Sequence, residues 1–446
     1  MKTRFQHIKS IIAAGLCLFY IGTIQGQGIV ADSRFESVMQ SERYIFKLVK
    51  VVDGFKHPWS IAFLPNGDMF VSERAGALRI VRNGVLDPEP IGGIPPVWYV
   101  GRAGFLDVAL HPDFENNQLV YFTYTKRSDD GESGTMAAAR GRFTGRRLVD
   151  VEDIFVANIW SERSGHFGSR LAFDGKGYVY ISFGDMSLVN PAAVPREENP
   201  AQDLSNHAGT IVRLHEDGRV PDDNPFVNTP GARPEIWSYG HRNVQGMTFN
   251  PENGELWAIE HGPQGGDEVN HILPGRNYGW PVIGYGINTG GGKIHATRMK
   301  EGMEEPVDYF APSIAPSGLM IYNGDKFPAW QGSIFVGSLR GHELHRLIPG
   351  KRPDGNYEIP DAEEPPLLQG YGRIRDVRQG PDGYIYVLFD DHPTRGRLTP
   401  IVRLEPVEEL RFNPHYHPDL FGNEGGAGGR TRLESGETDY QNEGAQ

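Results

Sequence analysis

Six times along this chain an apolar strand runs into a turn rich in Pro, Asn, Asp and Gly, and a second alternating strand follows. The clearest copies are WSIAFLPNGDMFVSE (59–73), LAFDGKGYVYISFGD (171–185), MTFNPENGELWAIEH (247–261) and VRQGPDGYIYVLFDD (377–391). VALHPDFENNQLVYFTYT (108–125) and MIYNGDKFPAWQGSIFVGSL (320–339) are looser, with longer turns. A repeat constrains a fold strongly, because each copy can bury its apolar face only against its neighbours. In PNGDMFV and PDGYIYV the Asn-Gly and Asp-Gly pairs are expected to supply the positive φ angles of a tight hairpin, and the following alternation buries one face. Successive turns lie farther apart than the roughly 40 to 50 residues of the simplest propeller repeats, so long loops are expected between blade strands. The expectation is an all-β fold, a six-bladed β-propeller over residues 45–406. A pair of sandwiches or a β-helix accounts less well for six such units. The 57 glycines and 33 prolines in 446 residues, about a fifth of the chain against roughly 12% in average usage, agree with many turns and few long helices.

Both ends read differently from the middle. Lys2, Arg4 and Lys9 precede an apolar run over 11–24, and small and polar residues follow. Residues 1–26 are therefore expected to be a secretory signal peptide and 27–44 a linker, which implies a periplasmic or secreted protein. Leu16 precedes the single cysteine, Cys17, where lipidation would want a small residue. With that cysteine inside the signal, the mature chain holds no thiol for catalysis and no disulfide. No later segment approaches the roughly 20 apolar residues that cross a bilayer, so no membrane span is expected after signal removal. Residues 407–446 are polar and Gly-rich and are expected to be disordered. A net charge of −13, from 44 basic and 57 acidic residues, argues against a nucleic-acid surface.

Several loops carry clusters that a propeller scaffold does not need. His166, in SGHFGSRLAFD, precedes a strand, and 19 positions on the same hairpin ends at Asp185. A histidine and a carboxylate could meet there as an oriented general base, although a plain loop histidine is the commoner case. His241, Arg242 and Asn243 stand before another repeat. Arg373 and Arg375, in YGRIRDVRQ, are spaced to point the same way, with no obvious carboxylate partner in the sequence. Two adjacent guanidinium groups suit an anionic ligand; a solvated edge strand matched to Asp376 is the other reading. The glycine-rich EHGPQGGDEVN, followed by NYGWP, offers backbone carbonyls and carboxylates of the kind Ca²⁺ selects. Zinc is not expected, because paired His or Cys ligand spacing is missing.

Taken together, HPWSIAFLPNGDMFVSER, GFLDVALHPDF, HFGSRLAFD, NPAQDLSNHAGTIVRL, PEIWSYGHRNVQGM, HGPQGGDEVN with NYGWP, and RIRDVRQGPDGYIYVL resemble the soluble quinoprotein sugar dehydrogenases. They are most similar to the bacterial aldose sugar dehydrogenases that use pyrroloquinoline quinone (PQQ). The resemblance runs in order from about residue 50 to 405. It implies a six-bladed propeller with PQQ and Ca²⁺ at the channel mouth. It implies that His166 is the general base, that Asp185 orients it, and that Arg242 and Asn243 face the quinone. Arg340, in GSLRGHEL, falls at a basic position near a cofactor carboxylate, and Arg373 and Arg375 match a double-arginine clamp on the same cofactor. The carbonyls of Gly262 and Pro263 match ligands of a catalytic Ca²⁺, and Glu268 and Tyr278 match a second, structural Ca²⁺ site.

Two departures bear on specificity. Arg102, in RAGF, stands where these enzymes usually carry a glutamine that contacts cofactor or substrate, and Thr289 stands where relatives often have a tyrosine. The implied activity is oxidation of an aldose at its anomeric carbon to the lactone, with electrons passing to an external acceptor. Two rival readings are a Ca²⁺-dependent lactonase, which would need side-chain carboxylates or amides around a central metal, and a propeller that only binds partners.

Overall fold

The computed structural model describes residues 33–163, 165–191, 193–288, 291–390 and 399–410. The expected signal peptide, Cys17, Thr289 and nearly all of the expected tail lie outside the described residues. Each of the six repeats supplies the first two strands of an antiparallel sheet. Blade 1 is Pro58–Phe63, Met69–Glu73, Ala77–Arg82 and Val85–Leu86. Blade 2 is Phe105–Leu110, Leu119–Arg127, Gly134–Phe143 and Leu148–Val156. Blade 3 is Leu171–Phe173, Tyr178–Ser182, Thr210–His215 and Ile236–Tyr239. Blade 4 is Val244–Phe249, Leu256–Glu260, Asp267–Ile272 and Asp308–Phe310. Blade 5 is Pro316–Ile321, Ile334–Ser338, Leu344–Lys351 and Tyr357–Ala362. Blade 6 joins both ends of the chain: Ile374–Gln379, Ile385–Phe389 and Thr399–Glu409 continue into Tyr44–Phe55 and then Val38–Gln40.

The protein is thus a six-bladed β-propeller whose ring is closed by the N-terminal strand. Tyr44 lies opposite Glu409 and Phe55 opposite Thr399. Pairing with an existing edge converts two open edges into ladder, which is why Val38–Gln40, inside the expected linker, becomes an edge strand, and why the last strand outruns residue 406. The first strands of consecutive blades touch one another around a central channel.

The hairpins differ slightly from expectation. In blade 1, Gly67 takes a φ of 86°, which glycine adopts without strain. Asn66 does not share the positive φ; its Oδ1 instead accepts the Asp68 N–H at 3.1 Å.

Six large apolar clusters fill the spaces between blades. Phe70, Leu78 and Ile80 of blade 1 meet Phe105, Val108 and Phe122 of blade 2, and Trp257 and Ile259 of blade 4 meet Ile334 and Val336 of blade 5. Strands buried on both faces need near-continuous apolar residues, as the second strands YVYIS and IYVLF supply. The channel is polar. Arg170 lies fully buried between Asp107 (3.1 Å) and Asp376 (3.2 Å), and Arg378 reaches the same two carboxylates at 3.2 and 2.9 Å. Ser60 donates to Asp107, the Ile61 N–H to Asp376, and Arg170 Nε to the Gln245 carbonyl. Blades 1, 2, 3, 4 and 6 are tied at their innermost strands by this one network.

Candidate active site

Blade 3 brings His166 and Asp185 together. Its first hairpin sets Leu171 opposite Ile181, and the Ser169 N–H bonds the Ser182 carbonyl at 2.7 Å. The backbones then meet beyond the strand ends: a Cβ on Gly184 would lie 2.3 Å from the His166 carbonyl oxygen, so only glycine fits. His166 Nδ1 donates to Asp185 Oδ1 at 2.7 Å. The same oxygen accepts the Ser187 N–H at 2.9 Å, and Oδ2 accepts Trp280 Nε1–H at 2.9 Å. Burial opposes the Asp185 charge, but His166, Arg242 and the Ser187 N–H outweigh it and hold the carboxyl below its ordinary range. Burial pushes the His166 imidazole below its ordinary value against the pull of Asp185. The bond to Asp185 places the ring proton on Nδ1 and leaves Nε2 as the basic atom.

Blade 4 holds its two predicted residues through an acid that sequence reading passed over. Glu260, at the end of the second strand, accepts the N–H groups of Arg242 (2.6 Å) and Asn243 (3.2 Å) and the Nδ1–H of His241 (3.0 Å). Arg242 Nη1 donates to the His261 carbonyl at 2.9 Å, and its guanidinium stacks 5.1 Å from the Trp280 ring. Gly262 follows directly, its N–H bonded to Asp267 at 2.8 Å. Asp267 also accepts Ser313 Oγ–H and the N–H groups of Ile314 and Ala315, which fixes the glycine-rich loop against blade 5.

These residues share one cavity of about 620 Å³. His166, Arg242, Asn243, Gly262 and Pro263 line it together with Arg102, Arg340, Arg373 and Arg375. The two spaced arginines do point the same way, but they have a carboxylate partner after all. Asp390, buried at the end of the second strand of blade 6, accepts from Arg375 Nη2 at 3.0 Å and lies 3.8 Å from Arg373. Asp376 is instead committed to Arg170 and Arg378 in the channel. One carboxylate between two guanidinium groups leaves positive charge in the cavity.

Glu268 and Tyr278 do not line this cavity. The Tyr278 ring stacks on His241 at 4.5 Å, and its hydroxyl donates to the His271 carbonyl. Glu268 faces Glu260 across the strand pair. Burial, then the Glu260 charge, pushes its carboxyl well above the usual range, and the bond it accepts from Asn270 is long, at 3.3 Å. Such crowding of carboxylates fits a nearby cation.

Sequence reading also missed His57, Arg74 and Tyr99. Arg74 donates to His57 Nε2 at 3.0 Å, and His57 Nδ1 meets the Tyr99 hydroxyl at 3.2 Å. Burial depresses His57 to about 4. A signal for Glu260 and Asp390 was present, because the clearest repeats carry an acid at or just past the second strand. Glu73, Asp185, Glu260 and Asp390 each hold a group at the start of the same blade: the Lys56 N–H, His166, the Arg242 N–H and Arg375.

The cavity chemistry fits a planar polyanion. The buried Nε atoms of Arg74, Arg242 and Arg375 have no acceptor among the described residues, and guanidinium forks match carboxylates. Among the described residues no three His, Cys, Asp or Glu side chains gather as a metal-binding group. Among them, too, no helix is long and apolar enough to cross a membrane.

Residues 55–400 match the family model described as glucose/sorbosone dehydrogenase. The aldose sugar dehydrogenase YliI of Escherichia coli (strain K12) is 42% identical over 345 residues, covering 76% of this chain and 88% of that protein. The soluble aldose sugar dehydrogenase (Asd) from Escherichia coli, solved in its apo-form, superposes with a TM-score of 0.73 at 39% identity, covering 81% of this chain and 100% of that one. The PQQ-bound aldose sugar dehydrogenase (Adh) from Streptomyces coelicolor gives a TM-score of 0.64 at 27% identity, covering 81% and 98%.

Proposed function

We infer that this chain, which belongs to the glucose/sorbosone dehydrogenase family and is an oxidoreductase acting on sugars, works with PQQ and Ca²⁺ to oxidise aldoses at the anomeric carbon to lactones. The observation that carries this reading is the His166–Asp185 pair opening into a cavity lined by six arginines. When bound, the quinone supplies a two-electron acceptor and Ca²⁺ a Lewis acid.

The chain's own residues do the rest. His166 Nε2 takes the proton of the anomeric hydroxyl, and Asp185 fixes the tautomer that makes this possible. Arg242, anchored on the His261 carbonyl, answers negative charge developing in the cavity, with Asn243 beside it. Arg340, Arg373 and Arg375 hold the carboxylates of the cofactor, and the carbonyls of Gly262 and Pro263 hold its Ca²⁺. Glu268 and Tyr278 belong to a second ion site that braces blade 4. The N-terminal run read from the sequence as a signal peptide supports work in the periplasm or outside the cell, with electrons handed to an external acceptor.

The test is to titrate purified apo-protein with PQQ, with and without Ca²⁺, following cofactor absorbance and dye reduction by a panel of aldoses. Saturable binding that requires Ca²⁺, together with sugar-dependent dye reduction, is expected. A protein that binds no quinone in the presence of Ca²⁺ would overturn the reading.

A further inference from the structure

We propose that Arg102 determines specificity in this site and selects an aldose carrying an anionic group, carboxylate or phosphate, remote from its reacting carbon; the inference rests on the sugar-oxidising reading above. Arg102 sits on a β-turn over residues 100–103, closed by the Ala103 N–H to the Val100 carbonyl at 2.9 Å. Gly101 enters the turn at a φ of 56°. Arg74 clamps it from behind by donating to the carbonyls on both sides of Arg102, those of Gly101 and of Ala103, the latter at 2.8 Å. A Cβ on Gly104 would lie 2.2 Å from the Arg74 carbonyl oxygen, so turn and strand end are in backbone contact. The backbone of Arg102 is therefore fixed while its side chain stays exposed at the cavity wall.

Four of the other five arginines that line the cavity are committed, and the fifth, Arg340, is the one assigned above to a cofactor carboxylate. Arg373 and Arg375 share Asp390, Arg242 bonds a carbonyl, and Arg74 holds the turn. Arg102 pairs with no carboxylate among the described residues. Its charge bears on His166 and Arg242, whereas those of Arg373 and Arg375 bear on His57. A neutral sugar gains little from a guanidinium that no carboxylate neutralises. A carboxylate or phosphate on the far end of the sugar would meet a pre-positioned fork, with the exposed Tyr99 ring beside it at the rim.

The experiment uses holoenzyme reconstituted with PQQ and Ca²⁺ and compares kcat/KM for glucuronate, galacturonate and glucose 6-phosphate with that for glucose and galactose. Charged sugars are expected to be preferred, the uronate and phosphate arms showing which anion is taken. Arg102→Gln should lower the charged-to-neutral ratio about tenfold to a hundredfold, mainly through KM, the range of one charge-assisted contact. Arg102→Lys should restore part of it, and about 0.5 M salt should shrink it in wild type because the contact is exposed. Calorimetric binding of the preferred anionic sugar to apo-protein, weakened in Arg102→Gln, gives a readout without turnover. Neutral aldoses used as well as charged ones would overturn the proposal, as would an Arg102→Gln enzyme with an unchanged ratio and weakened cofactor affinity. An enzyme that binds quinone yet oxidises none of the sugars would refute the underlying reading, and the inference with it.

Discussion

Replacing Asp185 by Asn isolates the orienting role from the cofactor site. All three groups that meet this carboxylate are donors: His166 Nδ1–H, the Ser187 N–H and Trp280 Nε1–H. An amide has one oxygen, so in either orientation its NH₂ faces an N–H. With the oxygen turned to Trp280, the NH₂ meets Nδ1 and drives the ring proton to Nε2, abolishing the base. With the oxygen turned to His166, the bond survives but loses its charge, worth roughly 1.5–3 kcal/mol, or about one to two decades in rate. The expected loss in kcat therefore runs from about tenfold, if the bond to His166 survives, to about 10⁴, the upper end of general-base assistance, with quinone affinity changed only a few-fold. The pH profile gives an independent check. The base must be neutral, and the Asp185 charge favours the imidazolium. Removing it makes His166 harder to protonate, so the acid limb of kcat/KM, already below the ordinary histidine value of about 6.5, should move to lower pH. Dye-coupled turnover from pH 4 to 8, a quinone titration and a thermal melt suffice. Turnover within about threefold of wild type and an unmoved acid limb would refute the role assigned to Asp185.

Arg373→Ala should weaken PQQ about 10-fold to 150-fold by titration; Arg375→Ala should also lower the melting temperature, because it leaves Asp390 buried with Arg373, at 3.8 Å, as its one remaining cation beside His57, and equal affinity in the double mutant and wild type would remove the clamp. Exhaustive chelation should abolish activity and lower the melting midpoint, since ions held only by the folded state stabilise it; unchanged melting would eliminate the second ion site at Glu268 and Tyr278. Arg170→Ala should destabilise by about 3–5 kcal/mol in urea unfolding, because Asp107 and Asp376 lose a buried counter-charge; a loss under about 1 kcal/mol would show that Arg378 alone satisfies both.

Much of the site was legible because the repeat carries it. His166 to Asp185 is one hairpin, so local pairing brings its ends together, and the i, i+2 spacing of Arg373 and Arg375 already set their shared direction. What sequence reading lost was partnership. Asp390 looked like the end of a strand, and the two arginines looked unpartnered, with Asp376 considered only as the match of a solvated edge strand. Asp376 meets Arg170 and Arg378 in the channel, whereas Asp390, 15 positions past Arg375, is the acid that meets both cavity arginines.

The sequence by itself determined the number of blades, the position of their hairpins and the apolar faces that must meet, because alternation and turn chemistry act over a few residues. Tertiary structure alone decided that Tyr44–Phe55 would close blade 6 and that Arg170 would sit between acids of two other blades. It also decided that Arg74 would clamp the turn carrying Arg102. These contacts join residues tens to hundreds of positions apart, whose meeting depends on ring closure, and no local pattern encodes the distance between them.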